Sequence, residues 1–129
     1  MRKIQNTVLY KWFQIVWNDG RLEAIGDFLS ENLTGDFTLE SYKTFFENFN
    51  TQFKDISVQV VDVISQDDME SALVDVKATH IESNKQVAFA GISIIKVKNG
   101  KAVETRNVFD NQLMYQQLGY ELRKTNIAE

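Results

Sequence analysis

The chain has 129 residues with no cysteine, no proline and one histidine, and its formal net charge is −4. That length suits one domain with one core, while the missing thiols and the lone imidazole exclude disulfides, cysteine nucleophiles and multi-histidine metal centres. Nine Phe, four Tyr and two Trp indicate an aromatic interior, and an acidic balance without a basic run argues against a nucleic-acid partner.

The first half carries helical periodicity. Ile4, Val8, Trp12, Ile15 and Val16 recur at helical spacing, with Leu9 and Phe13 widening the stripe. Asn18-Asp19-Gly20 is a stop, because glycine serves well just past a helix end. Leu22, Ile25, Phe28 and Leu29 mark a short second helix. Leu39, Tyr42, Phe46, Phe49 and Phe53 step by three and four and mark a third, with Thr38 as its cap and Glu40 in its first turn.

The second half switches to a period of two. Ile56, Val58 and Val60 alternate with polar residues up to a turn at Gln66-Asp67-Asp68. Val74, Val76, Ala78 and His80 then share one face up to a turn at Ser83-Asn84-Lys85. Val87 to Val97 is apolar on both faces, which predicts a central strand covered on both sides. Asn99-Gly100 supplies the positive φ angles of a two-residue hairpin. Val103, Thr105, Asn107 and Phe109 alternate with Glu104 and Arg106, and a short helix follows Asp110. Three helices followed by a four-strand antiparallel meander predict an α+β domain over residues 1–129, whose curved sheet encloses a pocket at its mouth. The N-terminus lacks a signal-peptide core, and no run of about 18 apolar residues occurs. A cytoplasmic protein with no membrane span, no cofactor and no metal is therefore expected.

Gly91-Ile92-Ser93-Ile94-Ile95, Asn99-Gly100-Lys101-Ala102-Val103-Glu104, Phe109-Asp110 with Gln117-Leu118-Gly119, and Trp17-Asn18-Asp19-Gly20-Arg21-Leu22 occur in an order and spacing that carry a resemblance. The chain resembles the NTF2-like superfamily and, within it, the SnoaL-like polyketide cyclases. The resemblance implies an α+β cone, with N-terminal helices packed in a curved antiparallel sheet and a short C-terminal helix. It also implies a homodimer formed through the sheet and a hydrophobic small molecule bound in the cone. Activities in the superfamily include aldol cyclisation, ketosteroid isomerisation and epoxide hydrolysis, and the fold does not choose among them.

Aldol cyclisation and isomerisation need a base beside an acidic C–H and a donor at the developing enolate oxygen. Strand parity turns Asn107 inward and Arg106 outward. The cyclase relatives carry an Asp here within Glu-His-Trp-Asp, whereas this chain reads Glu104-Thr105-Arg106-Asn107. An amide orients a carbonyl but takes no proton. Ser93 stands where isomerase relatives hold a buried acid, and Phe13 where they hold a tyrosine, so steroid isomerisation is not expected. Epoxide hydrolysis is not expected either, because Asp75, Lys77 and Arg106 lie on outer faces by parity.

His80 shares its face with Val74, Val76 and Ala78. It is either a hydrogen-bonded core side chain or, since imidazole titrates near neutrality, the leading candidate for proton transfer. Asp110 reads as a helix cap, and Asp36, near the base position of isomerase relatives, reads as a turn residue. Trp12, Phe13, Tyr42 and Phe109 are expected to border the cavity with Ser93 and Asn107. The expected function is small-molecule binding in an apolar pocket that has lost the usual acids, without cyclase activity. The alternative is cyclase- or isomerase-like proton transfer on a hydrophobic carbonyl compound.

Overall fold

The computed structural model describes residues 4–121. A first helix, α1 (Val8–Trp12), runs directly into a π-helical segment, Phe13–Asn18. Thr7 caps α1 by accepting the Tyr10 N–H at 3.2 Å. Asn18 ends the π segment and clamps it to the sheet. Its amide donates to the Val58 carbonyl at 2.9 Å and accepts the Val58 N–H at 2.6 Å. The expected stop holds, with Gly20 at φ +67° just beyond.

The expected second helix is only one turn. A 3₁₀ turn, Leu22–Ala24, leads into α2 (Ile25–Phe28), and the chain then extends as β1 (Leu29–Gly35). This strand is absent from a four-strand meander. It lies parallel to β5 (Lys101–Phe109) at the sheet edge, so the sheet is five-stranded and mixed, in the order β1-β5-β4-β3-β2. The helical reading of Leu22, Ile25, Phe28 and Leu29 ran into the first residue of this strand, where only Leu29 and Leu33, four apart, are buried. A period of four fits helix and edge strand alike.

Helix α3 (Leu39–Gln52) begins with a reciprocal cap between Thr38 and Ser41 and carries Glu40 in its first turn, as expected. The strands β2 (Phe53–Gln66), β3 (Met69–His80), β4 (Gln86–Lys98) and β5 form an antiparallel meander. The hairpin joining the last two turns at Asn99 and Gly100, with φ of +54° and +79°. The last helix, α4 (Asn111–Gln117), is capped by Asp110 Oδ1, which accepts the Leu113 N–H at 3.1 Å. Gln117 pins α4 to β4 by bonding both the N–H and the carbonyl of Ala88.

The concave side of the sheet packs on the helices. Along β4, Val87, Phe89, Gly91, Ser93 and Ile95 are buried while Ala88, Ala90, Ile92 and Ile94 are exposed. β4 is central, as expected, but within one chain it is covered on one side only. The outer face leaves Leu73, Ile92, Ile94 and Val108 in contact with solvent.

Parity also slips within β5. A register irregularity between Lys96 and Val97 makes Val103 an extra residue, so Ala102 is buried and Val103 is not. From Thr105 onward the expected alternation holds. Thr105 is buried, Asn107 and Phe109 are half-buried, and Arg106 is exposed beside Glu104.

Candidate functional site

The first helical stretch, α3, the inner face of the sheet and α4 enclose a cavity of about 500 Å³. Its walls are mostly aromatic. Trp12, Phe13 and Trp17 come from the first stretch, and Phe45, Phe46 and Phe49 come from α3. Phe53, Phe89 and Phe109 contribute from the strands, and Met114 and Tyr115 close one end from α4.

The π segment explains how both tryptophans face the same space. In an α-helix, positions five apart point about 140° away from each other. Here the Asp19 N–H reaches back five residues to the Gln14 carbonyl at 3.0 Å, and the wider turn narrows that angle. Trp12 then stands edge-on to Tyr42 and Phe46, while Trp17 stacks on Phe109 at a centroid separation of 5.7 Å. Gly91 makes room for that ring, since a Cβ there would come within 2.1 Å of Phe109 Cδ1.

One corner of the cavity is polar. Ser93 and Asn107 are cross-strand partners on β4 and β5, and the Ser93 hydroxyl donates to Asn107 Oδ1. Asn107 Nδ2 donates to the Tyr42 hydroxyl at 2.6 Å, and that hydroxyl donates to Thr105 Oγ1 at 3.0 Å. Burial raises the Tyr42 pKa above its usual 10.0, opposed in part by its hydrogen bonds to Thr105 and Asn107. The phenol is therefore held protonated as a donor. Because Asn107 Oδ1 receives a hydroxyl, the amide is fixed with its nitrogen toward Tyr42 and the cavity.

The same corner holds one carboxylate. Asp36 follows β1 and lines the cavity, and its Oδ2 accepts the backbone N–H of Asn107. Its own N–H donates to the Thr105 carbonyl at 2.9 Å. Asp36 is thus a turn residue whose side chain reaches the site. The parallel pairing of β1 with β5 puts it there, and the sequence signal available was the Gly35-Asp36 pair at the end of an apolar stretch.

Trp12, Phe13, Tyr42, Asn107 and Phe109 all line the cavity. Ser93 stands behind Asn107 and borders a separate void of about 10 Å³. His80 lies elsewhere, at the end of β3, and is not part of the cavity lining. Its Nδ1 bonds Ser83 Oγ at 2.8 Å and its ring packs against Phe53 at 5.3 Å between centroids. The apolar face ends at Ala78, after which His80 is drawn into the β3–β4 turn by backbone bonds to Asn84 and Lys85. Asp75 and Lys77 are exposed, as parity required. Among the described residues no cluster of His, Asp and Glu could hold a metal ion, and no helix is long and apolar enough to cross a membrane.

Residues 7–118 match the family model described as SnoaL-like polyketide cyclase. The fold is shared with several solved structures. A candidate polyketide cyclase from Bacillus cereus is 26% identical, with a TM-score of 0.79 over 87% of this chain and 78% of that one. TsrD from Streptomyces laurentii is 15% identical, with a TM-score of 0.79 over 86% of this chain and 92% of that one. IdmH from Streptomyces antibioticus, a candidate polyketide cyclase, is 16% identical, with a TM-score of 0.79 over 88% and 96%. No curated protein matches the sequence.

Proposed function

Because the chain belongs to the SnoaL-like polyketide cyclase family, we propose that it binds a hydrophobic aromatic small molecule in the cavity and does so without cyclising it. The observation that carries this reading is an aromatic cavity of about 500 Å³ with an amide, Asn107, at its polar corner. That volume falls in the range of small-molecule sites. The Tyr42 hydroxyl gives its one proton to Thr105 and holds the Asn107 amide in place. The second N–H of that amide suits a guest carbonyl but removes no proton from carbon.

Asp36 supports a second reading. It is the one carboxylate among the described lining residues, and its Oδ2 accepts the backbone N–H of Asn107. There it could take a proton from carbon while Asn107 donates to the enolate oxygen. On that reading the proton-transfer role expected of His80 belongs to Asp36.

A single ligand separates the two. The neutral ketone 2-acetylnaphthalene should show saturable binding by calorimetry, weakened at least about tenfold (roughly 1.4 kcal/mol) by Met114→Trp, which fills the cavity. Absence of binding to the folded wild-type chain overturns the binding reading. In deuterated buffer, NMR of the methyl ketone protons should show no exchange beyond the uncatalysed rate. Accelerated exchange that disappears in Asp36→Asn replaces the first reading with the second.

The exposed outer face suits a second copy of the chain. Leu73, Ile92, Ile94 and Val108 form an apolar surface of the kind that a two-fold interface covers. Light scattering at tens of micromolar should give twice the chain mass, and Ile92→Lys should return the monomer. A wild-type monomer at that concentration removes the homodimer.

A further inference from the structure

Resting on the binding reading above, we propose that the natural guest of the cavity is an aromatic or polycyclic amine whose protonated nitrogen faces Asp36. The argument is one of charge. Among the described residues that line the cavity there is no Lys, Arg or His, and Asp36 is the only charged side chain. The rest of the lining is mostly aromatic, with the amides of Asn48, Gln52, Asn107 and Asn111 and the hydroxyls of Tyr42 and Tyr115 as its neutral polar groups.

An anionic guest would meet a carboxylate and no counter-charge, and burying an unpaired charge is costly. A neutral apolar guest avoids that cost but incurs another. Asp36 is exposed at the cavity wall, where water solvates its carboxylate. A guest that fills the space strips that water away. Among the described residues, only one carboxylate oxygen, Oδ2, receives a hydrogen bond in compensation. A protonated amine supplies several N–H donors and a positive charge at the point where hydration is lost. The aromatic walls favour the same sign, because the faces of Trp and Phe rings attract cations.

The neighbouring groups do not cancel this preference. Tyr42 is kept neutral by burial, and Asn107 spends an amide N–H on the Tyr42 hydroxyl, so neither brings a charge to the corner. Arg106, the nearest cation along β5, is exposed on the opposite face beside Glu104 at 3.9 Å.

The test compares three probes of one shape at pH 7 by calorimetry: 2-naphthylmethylamine, 2-naphthylmethanol and 2-naphthoate. The amine should bind about tenfold more tightly than the alcohol, and the carboxylate should bind weakest. In Asp36→Asn the amine should lose that advantage while the alcohol changes by less than twofold. Equal or tighter binding of alcohol or carboxylate by wild-type protein overturns the charge assignment and leaves the cavity reading standing. An amine advantage that survives Asp36→Asn overturns the role given to Asp36. Failure of all three to bind folded protein overturns both readings together.

Discussion

Glu70→Ala should lower the unfolding free energy by about 3 kcal/mol, with a fall in melting temperature of roughly 10 °C. Glu70 is 2% exposed and sits on β3, yet it serves the first helix. Its Oε2 accepts the Val8 N–H at 3.1 Å and its Oε1 accepts the Leu9 N–H at 2.9 Å. With Thr7 on Tyr10, all three N–H groups of the opening turn are satisfied. Those N–H groups have no partner within a helix, and their partial positive charge favours an anion. A five-residue helix has no independent stability, so α1 depends on this anchor and on the packing of Leu9 and Trp12.

Alanine leaves two donors without their acceptor and a void where the carboxylate stood. Glu70→Gln keeps one acceptor oxygen and should cost about half as much. Urea unfolding checks both variants. The midpoint should fall without a change in slope, and amide exchange at Val8 and Leu9 should accelerate first. A loss below about 1 kcal/mol for the alanine variant would show that packing alone holds α1.

Gly35→Ala should cost about 3 kcal/mol or more and should also dismantle the polar corner. Gly35 has φ +105°, and a Cβ there would lie 2.0 Å from the Thr105 carbonyl oxygen. The obstruction is backbone, so no side chain can rotate away. Gly35 pairs with Thr105, and the next N–H, from Asp36, donates to that same carbonyl. Pushing the end of β1 off β5 therefore withdraws Asp36 from Asn107. The proposed amine preference should vanish in this variant even where the chain remains folded, which probe titration below the melting transition would reveal. A variant with wild-type stability and an unchanged amine preference would mean that the edge strand yields without cost.

Local chemistry made much of this architecture readable from residues alone. Thr38 caps α3 because a threonine oxygen before an apolar helix finds an orphan N–H three residues on. Asn99-Gly100 turns because those two residues tolerate left-handed backbone. Asp110 caps α4 in the same way. The inward position of Asn107 and the outward position of Arg106 followed from period-two alternation, which holds from Thr105 onward. Parity misplaced Val103 because a bulge adds one residue to one strand, and nothing within a short window announces it.

The features that shape the candidate site are non-local. β1 is a strand because β5, about seventy residues later, offers it an edge, and its two buried residues, Leu29 and Leu33, show no period of two. The π segment brings Trp12 and Trp17 to one cavity through a single extra residue per hydrogen-bonded turn, a change invisible to a count of helical spacing.

By its own pattern of period, caps and turn residues, the sequence determined the α+β class, the meander of the last four strands and the presence of an amide, not an acid, at position 107. These depend on contacts a few residues long or on residue identity. Tertiary structure alone decided that Asp36 joins Asn107 and Tyr42 and that His80 turns away into a loop. Each outcome depends on which strand edge or turn finds a backbone partner, and that is a property of the folded sheet.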